Sequence, residues 1–297
     1  MNINWYPGHM HKARRELVKT LGSIQVIIEV LDARIPAASS NPLLAKLASG
    51  YPRLRILNKS DLAEQVVTEQ WKNYFTTSPS QLCLITGQDK QHIKSIVIEA
   101  LQSFCTVSNG SFNRDRLCLI LGIPNAGKST LLNALVGRKS AKTGNEPAIT
   151  QGQQRVRLSQ LWSLIDSPGM LWPNLQDQRT ALCLAMTGAI RQTALDITDL
   201  GWSAAELLLA LNKQTLVTRY NLPNIPESTE QLMTLIATNI GAKGKSGTVD
   251  WHRTAEALLN DYRTGKLGRI SLEIPPGDTT SRQDMWGSTA GALIQEP

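Results

Sequence analysis

Asn58-Lys59-Ser60-Asp61 stands ahead of Gly122-Ile123-Pro124-Asn125-Ala126-Gly127-Lys128-Ser129, and Asp166-Ser167-Pro168-Gly169 follows both. Each segment ends an apolar run. Leu54 to Leu57 delivers Asn58, Arg116 to Leu121 delivers Gly122, and Leu161 to Ile165 delivers Asp166. Gln25 to Leu31, Gln81 to Ile85 and Val156 to Leu158 carry the same strand signal. Helical apolar spacing runs from Ala63 to Phe75, from Gln91 to Phe104 and from Ser129 to Val136. Asn41 to Ala48 suits a short helix with Pro42 at its first position. Strands alternating with helices predict an α/β fold with a doubly wound, mostly parallel sheet. Ligands of such sheets sit beyond the C-terminal ends of the strands, where Asn58, Thr86, Gly122 and Asp166 fall.

Gly122 to Ser129 matches GxxxxGKS, a phosphate-binding loop. Its glycines let backbone N–H groups wrap phosphates, Lys128 places a charge on the β- and γ-phosphates, and Ser129 offers a hydroxyl to Mg²⁺. The helix N-terminus that follows favours an anion. Asp61 has the acceptors to pair with guanine N1–H and its 2-amino group, whereas adenine has no donor at N1 and no 2-amino group. The stem of Lys59 suits the purine face, Asn58 is placed to tie this turn to the phosphate loop, and a backbone N–H at Thr86-Gly87 is placed to read guanine O6. Asp166 is expected to hold Mg²⁺ through water, with the Gly169 N–H on the γ-phosphate. Lys139 to Gln151 is a candidate switch, in which Thr150 is the expected second Mg²⁺ hydroxyl, although Thr143 is near. The nucleotide-binding set is therefore Asn58, Lys59, Ser60, Asp61, Thr86, Gly87, Asn125, Ala126, Gly127, Lys128, Ser129, Thr130, Asp166 and Gly169. Taken singly, each segment also reads as an ordinary polar turn; together on one sheet they reinforce one another. An ordinary GTPase carries the phosphate loop first and the base-reading motif last. The reversed order predicts a circularly permuted P-loop GTPase domain. Met170-Leu171-Trp172 stands where many GTPases place a water-orienting glutamine.

The formal net charge of +7 favours a polyanionic partner, with mere solubility as the bland alternative. Cys83, Cys105, Cys118 and Cys183 form no CxxC pair, and Cys83 and Cys118 lie in apolar runs, so buried reduced thiols are expected. No apolar run reaches membrane-spanning length, and the first residues, MNINWYPGHMHKARR, have no signal-peptide core. A cytoplasmic protein without a membrane partner is expected; a motif starting at Trp5 leaves no room for a transit peptide, which favours a bacterial cytosol. From about Thr180 the strand signal nearly vanishes. Helical stretches run from Ala181 to Ile190, Ala204 to Asn212, Thr229 to Ile240 and Asp250 to Thr264. Three parts are expected: residues 1–179 as the α/β domain with a basic N-terminal segment, 180–273 as an all-helical C-terminal domain, and 274–297 as a disordered tail. Lys12, Arg14, Arg15 and Lys19, with Lys243, Lys245, Arg253, Arg263, Lys266 and Arg269, are candidate RNA contacts or simply solvated charges.

Trp5-Tyr6-Pro7-Gly8-His9-Met10, Asp32-Ala33-Arg34-Ile35-Pro36, the three motifs above and Asp261-Tyr262-Arg263-Thr264-Gly265-Lys266-Leu267-Gly268, in this order, resemble the ribosome biogenesis GTPase A family. Those are circularly permuted GTPases that help mature the large ribosomal subunit. The resemblance implies GTP/GDP and Mg²⁺ as ligands, a helical C-terminal domain that binds ribosomal RNA, and the large subunit as partner. It implies a hydrophobic residue in place of the glutamine and a hydrolytic role for His9, which otherwise reads as a solvated residue or an RNA contact. In related GTPases the asparagine at the position of Asn125 helps bind K⁺. Two departures stand out: Pro147-Ala148-Ile149-Thr150 lacks the usual glycine, and Thr86-Gly87 replaces Ser-Ala. A GTP-gated binding module with incidental hydrolysis, and an organellar ribosome factor, are the competing readings. A monomer is expected.

Overall fold

The computed structural model describes residues 18–42, 47, 50–105, 116–137, 154–167, 177–190, 196–243 and 247–276. The chain enters the sheet at β1 (Val26–Asp32), then passes through α1 (Pro36–Ser39), β2 (Arg53–Asn58), a 3₁₀ turn (Ser60–Leu62), α2 (Gln65–Phe75), β3 (Gln81–Ile85), α3 (Ile93–Ser103), β4 (Arg116–Gly122), α4 (Lys128–Val136), β5 (Gln154–Arg157) and β6 (Trp162–Asp166). The six strands pair in the order β3-β2-β1-β4-β6-β5, all parallel except the β5–β6 pair. β1 is buried at every residue, as its apolar, β-branched sequence requires of a central parallel strand covered on both faces. One polar residue interrupts it. Glu29 is buried and meets Arg53 at 3.4 Å and Arg55 at 3.3 Å on the neighbouring strand.

Beyond the sheet come α5 (Gln178–Met186), α6 (Ile197–Leu211), α7 (Lys213–Tyr220), α8 (Thr229–Asn239) and α9 (Trp251–Arg263). Each starts on a side chain that accepts a backbone N–H: Asp177, Asp196, Asn212, Ser228 and Asp250 respectively. These caps correct the expected boundaries. α5 begins before Ala181, and the chain leaves the helix ahead of Gly188, whose φ is +80°. α6 begins at Ile197 rather than Ala204 because Asp196 caps it, and α7 was not foreseen because Asn212 ends one helix and caps the next.

The apolar core runs without a break from the sheet into these helices. The stretch after α9 returns to the sheet side. Ile270 N–H donates to Leu62 O and Leu272 N–H to Arg34 O, while Glu273 accepts from Ala37 and Ala38 at the start of α1. Residues 270–273, grouped by expectation with the helical part, are thus hydrogen-bonded to the loops after β1 and β2. Among the described residues no helix is long and apolar enough to cross a membrane. All four cysteines are free thiols, as expected, and burial pushes Cys83 and Cys118 up to about 12.

Candidate guanine-nucleotide site

β4 ends at Gly122 and α4 starts at Lys128, so the phosphate loop joins a buried strand to a helix. Like α2 and α3, α4 begins without a side-chain cap. The first-turn N–H groups of such a helix favour an anion. Gly127 has φ +87°, and a Cβ there would lie 2.2 Å from Asn58 Nδ2. That close approach exists because Asn58 Nδ2 donates to Ala126 O at 2.8 Å, the tie expected between the two loops. Lys128 is buried and its ammonium donates to Asp166 Oδ1. Burial lowers the Lys128 pKa, and the Asp166 charge opposes that shift. Asp166 is 0% exposed, and its second oxygen, Oδ2, has no hydrogen-bond partner. Ser167 Oγ donates to Ile120 O at 2.8 Å, fixing the end of β6 against β4. Ser129 and Thr130 occupy the first turn of α4 beside this pair.

The base-reading turn is built on Lys59, whose φ of 60° is left-handed. Asn125 in the phosphate loop has φ 59°. Non-glycine residues adopt this region rarely, and such conformations gather at functional sites. Lys59 Nζ donates to Asn125 O and, at 2.9 Å, to Asp32 Oδ2. Arg34 grips the same carboxylate with both arms, Nε to Oδ1 at 2.9 Å and an Nη to Oδ2 at 2.7 Å. Burial pulls the Asp32 pKa upward, but the charges of Arg34 and Lys59 outweigh it and hold the carboxyl well below the usual range. Ser60 N–H donates to Thr86 O, and Asp61 Oδ1 lies against the α-carbon side of Gly87. Lys90 bridges the two loops by donating to Asn58 Oδ1 and Gly87 O. A cavity of about 690 Å³ opens on the base side, lined by Ser60, Asp61, Gly87, Gln88 and Arg269 among others.

The sequence-predicted residues Asn58, Lys59, Ser60, Asp61, Thr86, Gly87, Asn125, Ala126, Gly127, Lys128, Ser129, Thr130 and Asp166 therefore gather at one edge of the sheet. His9, Thr150, Gly169, Lys12, Arg14, Arg15 and Lys245 lie outside the described residues. Lys19, Lys243 and Lys266 are exposed. Arg263 is partly buried, and its guanidinium donates to the carbonyls of Met186 and Ala185, each at 2.8 Å. Sequence reasoning assigned no role to Asp32, Arg34 or Lys90. The available signal was an Asp-x-Arg closing a largely apolar strand, a place where a charge must have a partner.

The base-reading turn follows β2 and the phosphate loop follows β4, yet strand order sets β1 alone between them. This is the architecture of a circularly permuted P-loop GTPase. Residues 117–221 match the family described as 50S ribosome-binding GTPase. The chain is 39% identical over 280 residues to ribosome biogenesis GTPase A of Bacillus cereus, covering 93% of this chain and 95% of that protein. It belongs to the ribosome biogenesis GTPase A family. It is also 31% identical to mitochondrial ribosome-associated GTPase 1 of Mus musculus, over 91% of this chain and 89% of the relative. Among solved structures, a GDP-bound TM YlqF superposes with a TM-score of 0.64 at 25% identity, covering 88% of this chain and 99% of that one. GNP-bound YlqF from T. maritima shares the fold, with a TM-score of 0.62.

Proposed function

We propose that this GTPase is an assembly factor for the large ribosomal subunit, with hydrolysis stimulated by the particle. The observation that carries the nucleotide reading is the Asn58–Ala126 tie, which joins the base-reading loop to the phosphate loop. The ribosomal reading is supported by the relatives, named ribosome biogenesis GTPase A, and by the matched family description, 50S ribosome-binding GTPase. Asp61 reads the guanine edge, Lys59 lies on the purine face and Lys128 meets the β- and γ-phosphates. Asp166 Oδ2 is a buried oxygen without a partner, which fits a role toward Mg²⁺. Ser129 and Thr150 complete that set. The ion, when bound, neutralises charge on the phosphates. Asn125 serves K⁺, and Gly169 meets the γ-phosphate. With Met170 where a glutamine is common, His9 orients the attacking water.

Lys12, Arg14, Arg15, Lys19, Lys243, Lys245 and Lys266 contact ribosomal RNA, and the protein acts as a cytoplasmic monomer. Turnover measured with and without large subunits, in potassium and in sodium, tests the reading. Slow intrinsic turnover, raised by the particle and faster in potassium, is expected. GTP binding without stimulation would favour the GTP-gated binding module instead, and equal rates in the two salts would remove the K⁺ role.

A further inference from the structure

We propose that Tyr262 and Arg263, adjacent residues at the C-terminal end of α9, are positioning residues for the two halves of the nucleotide site. Tyr262 acts on Lys59 and Arg263 on the phosphate loop. The proposal rests on the reading of that site as a guanine-nucleotide pocket.

The first route runs through the Asp32–Arg34 pair. The Arg34 guanidinium lies over the Tyr262 ring, 5.1 Å from its centroid. Arg34 and Asp32 are each 1% exposed, and Arg34 Nη1 has no hydrogen-bond partner. A buried guanidinium with an unpaired nitrogen loses hydration, and the face of an aromatic ring offsets part of that loss. The ring therefore helps fix the guanidinium, the guanidinium fixes the Asp32 carboxylate, and the carboxylate holds Lys59 Nζ at 2.9 Å. Lys59 is the residue expected to lie on the purine.

The second route leaves the next residue in the opposite direction. Arg263 donates to the carbonyls of Ala185 and Met186 at the end of α5, and the Ala185 carbonyl also accepts from the Gly188 N–H at 3.1 Å. Gly188 follows, and its carbonyl accepts from Asn125 Nδ2 at 2.7 Å. A Cβ on Gly188 would lie 3.6 Å from Arg263 Nε and 3.8 Å from Asn125 Nδ2, so this residue is packed between the arginine and the phosphate loop. One turn of one helix thus leads to both nucleotide loops, through Arg34 on one side and Gly188 on the other.

The test is equilibrium binding of a fluorescent N-methylanthraniloyl GDP to the full chain. Tyr262→Leu removes the ring and is expected to weaken binding about tenfold. Tyr262→Phe, which keeps the ring, recovers that loss. Arg263→Gln is expected to weaken binding to a similar extent, about tenfold. Double-mutant cycles separate positioning from general loosening. Tyr262→Leu with Asp32→Asn, and Arg263→Gln with Asn125→Ala, give fold-changes well below the product of the singles. Tyr262→Leu with Asn125→Ala multiply, because the two routes meet only at the Asn125 main-chain carbonyl, which Asn125→Ala keeps. Should Tyr262→Leu fail to fold by circular dichroism, Arg34→Lys keeps the charge, loses the planar stack and is expected to weaken binding likewise. Wild-type affinity in the folded variants, or multiplying losses within each route, overturns the inference alone. A wild-type chain that binds no guanine nucleotide overturns the reading of the site as well.

Discussion

Asn58 Nδ2 donates to the Ala126 carbonyl at 2.8 Å, joining the turn after β2 to the loop after β4. Removing the donor leaves a buried carbonyl unpaired, a loss of about 1–3 kcal/mol. Asn58→Ala is therefore expected to weaken GDP and GTP binding alike, by about tenfold or more, as read by isothermal calorimetry. Unchanged affinity would mean that the two loops are held by other contacts.

Asp61 sits beside Gly87, and both line the cavity next to the base-reading turn. Asp61→Asn replaces one of its two acceptors with a donor. Guanine then loses a paired edge, while xanthine, which carries a carbonyl at C2, gains a partner. GDP affinity should fall by about a hundredfold and xanthosine diphosphate affinity should rise. Competition binding with the two nucleotides reads both changes; a parallel loss for both would place the base elsewhere.

The Glu29 carboxylate lies inside β1 with Arg53 and Arg55 as partners. Glu29→Ala removes a carboxylate shared by two largely buried guanidinium groups, of which Arg55 keeps Gln81 Oε1 at 3.0 Å, and breaking such a cluster costs about 3–5 kcal/mol. A marked fall in the urea midpoint is expected, with nucleotide affinity preserved in the remaining folded protein. A midpoint within experimental error of wild type would show that the arginines relax to solvent.

Burial pushes the Glu273 carboxyl up to about 7 from its ordinary 4.5, against the Ala38 and Ala37 N–H groups that favour its charged form. The folded chain thus holds this proton more tightly than the unfolded chain. Its contribution to stability is full below about pH 4.5 and is lost as pH rises through about 7. Glu273→Gln removes that dependence. From about pH 5 to about pH 8 the variant should gain on wild type by roughly 2–3 kcal/mol in unfolding free energy. A pH-independent difference would mean that Glu273 is ionised throughout.

The strand ends were legible because each motif closes an apolar run, and β3 matches its expected bounds residue for residue. The placement of the two loops was legible as well, because each motif has particular residues at fixed short spacings directly after a strand. The inward turn of Arg263 was not, because local periodicity cannot say which cation will find a helix end within reach. Nor was the docking of Glu273 on Ala37, a contact made across 236 residues of chain. The partnership of Asp32 with Lys59 was hidden similarly: both residues were quoted, but only the β1–β2 register sets them side by side.

Lys128 already has a carboxylate partner in Asp166. A phosphate arriving at this lysine competes with an anion that the protein itself carries, so measured affinity is a difference between two pairings. When the ammonium turns to phosphate, Asp166 regains an unneutralised charge in a buried place, and a divalent cation becomes the natural replacement. Nucleotide and Mg²⁺ should therefore raise each other's affinity by the same factor, as reciprocity between linked equilibria demands.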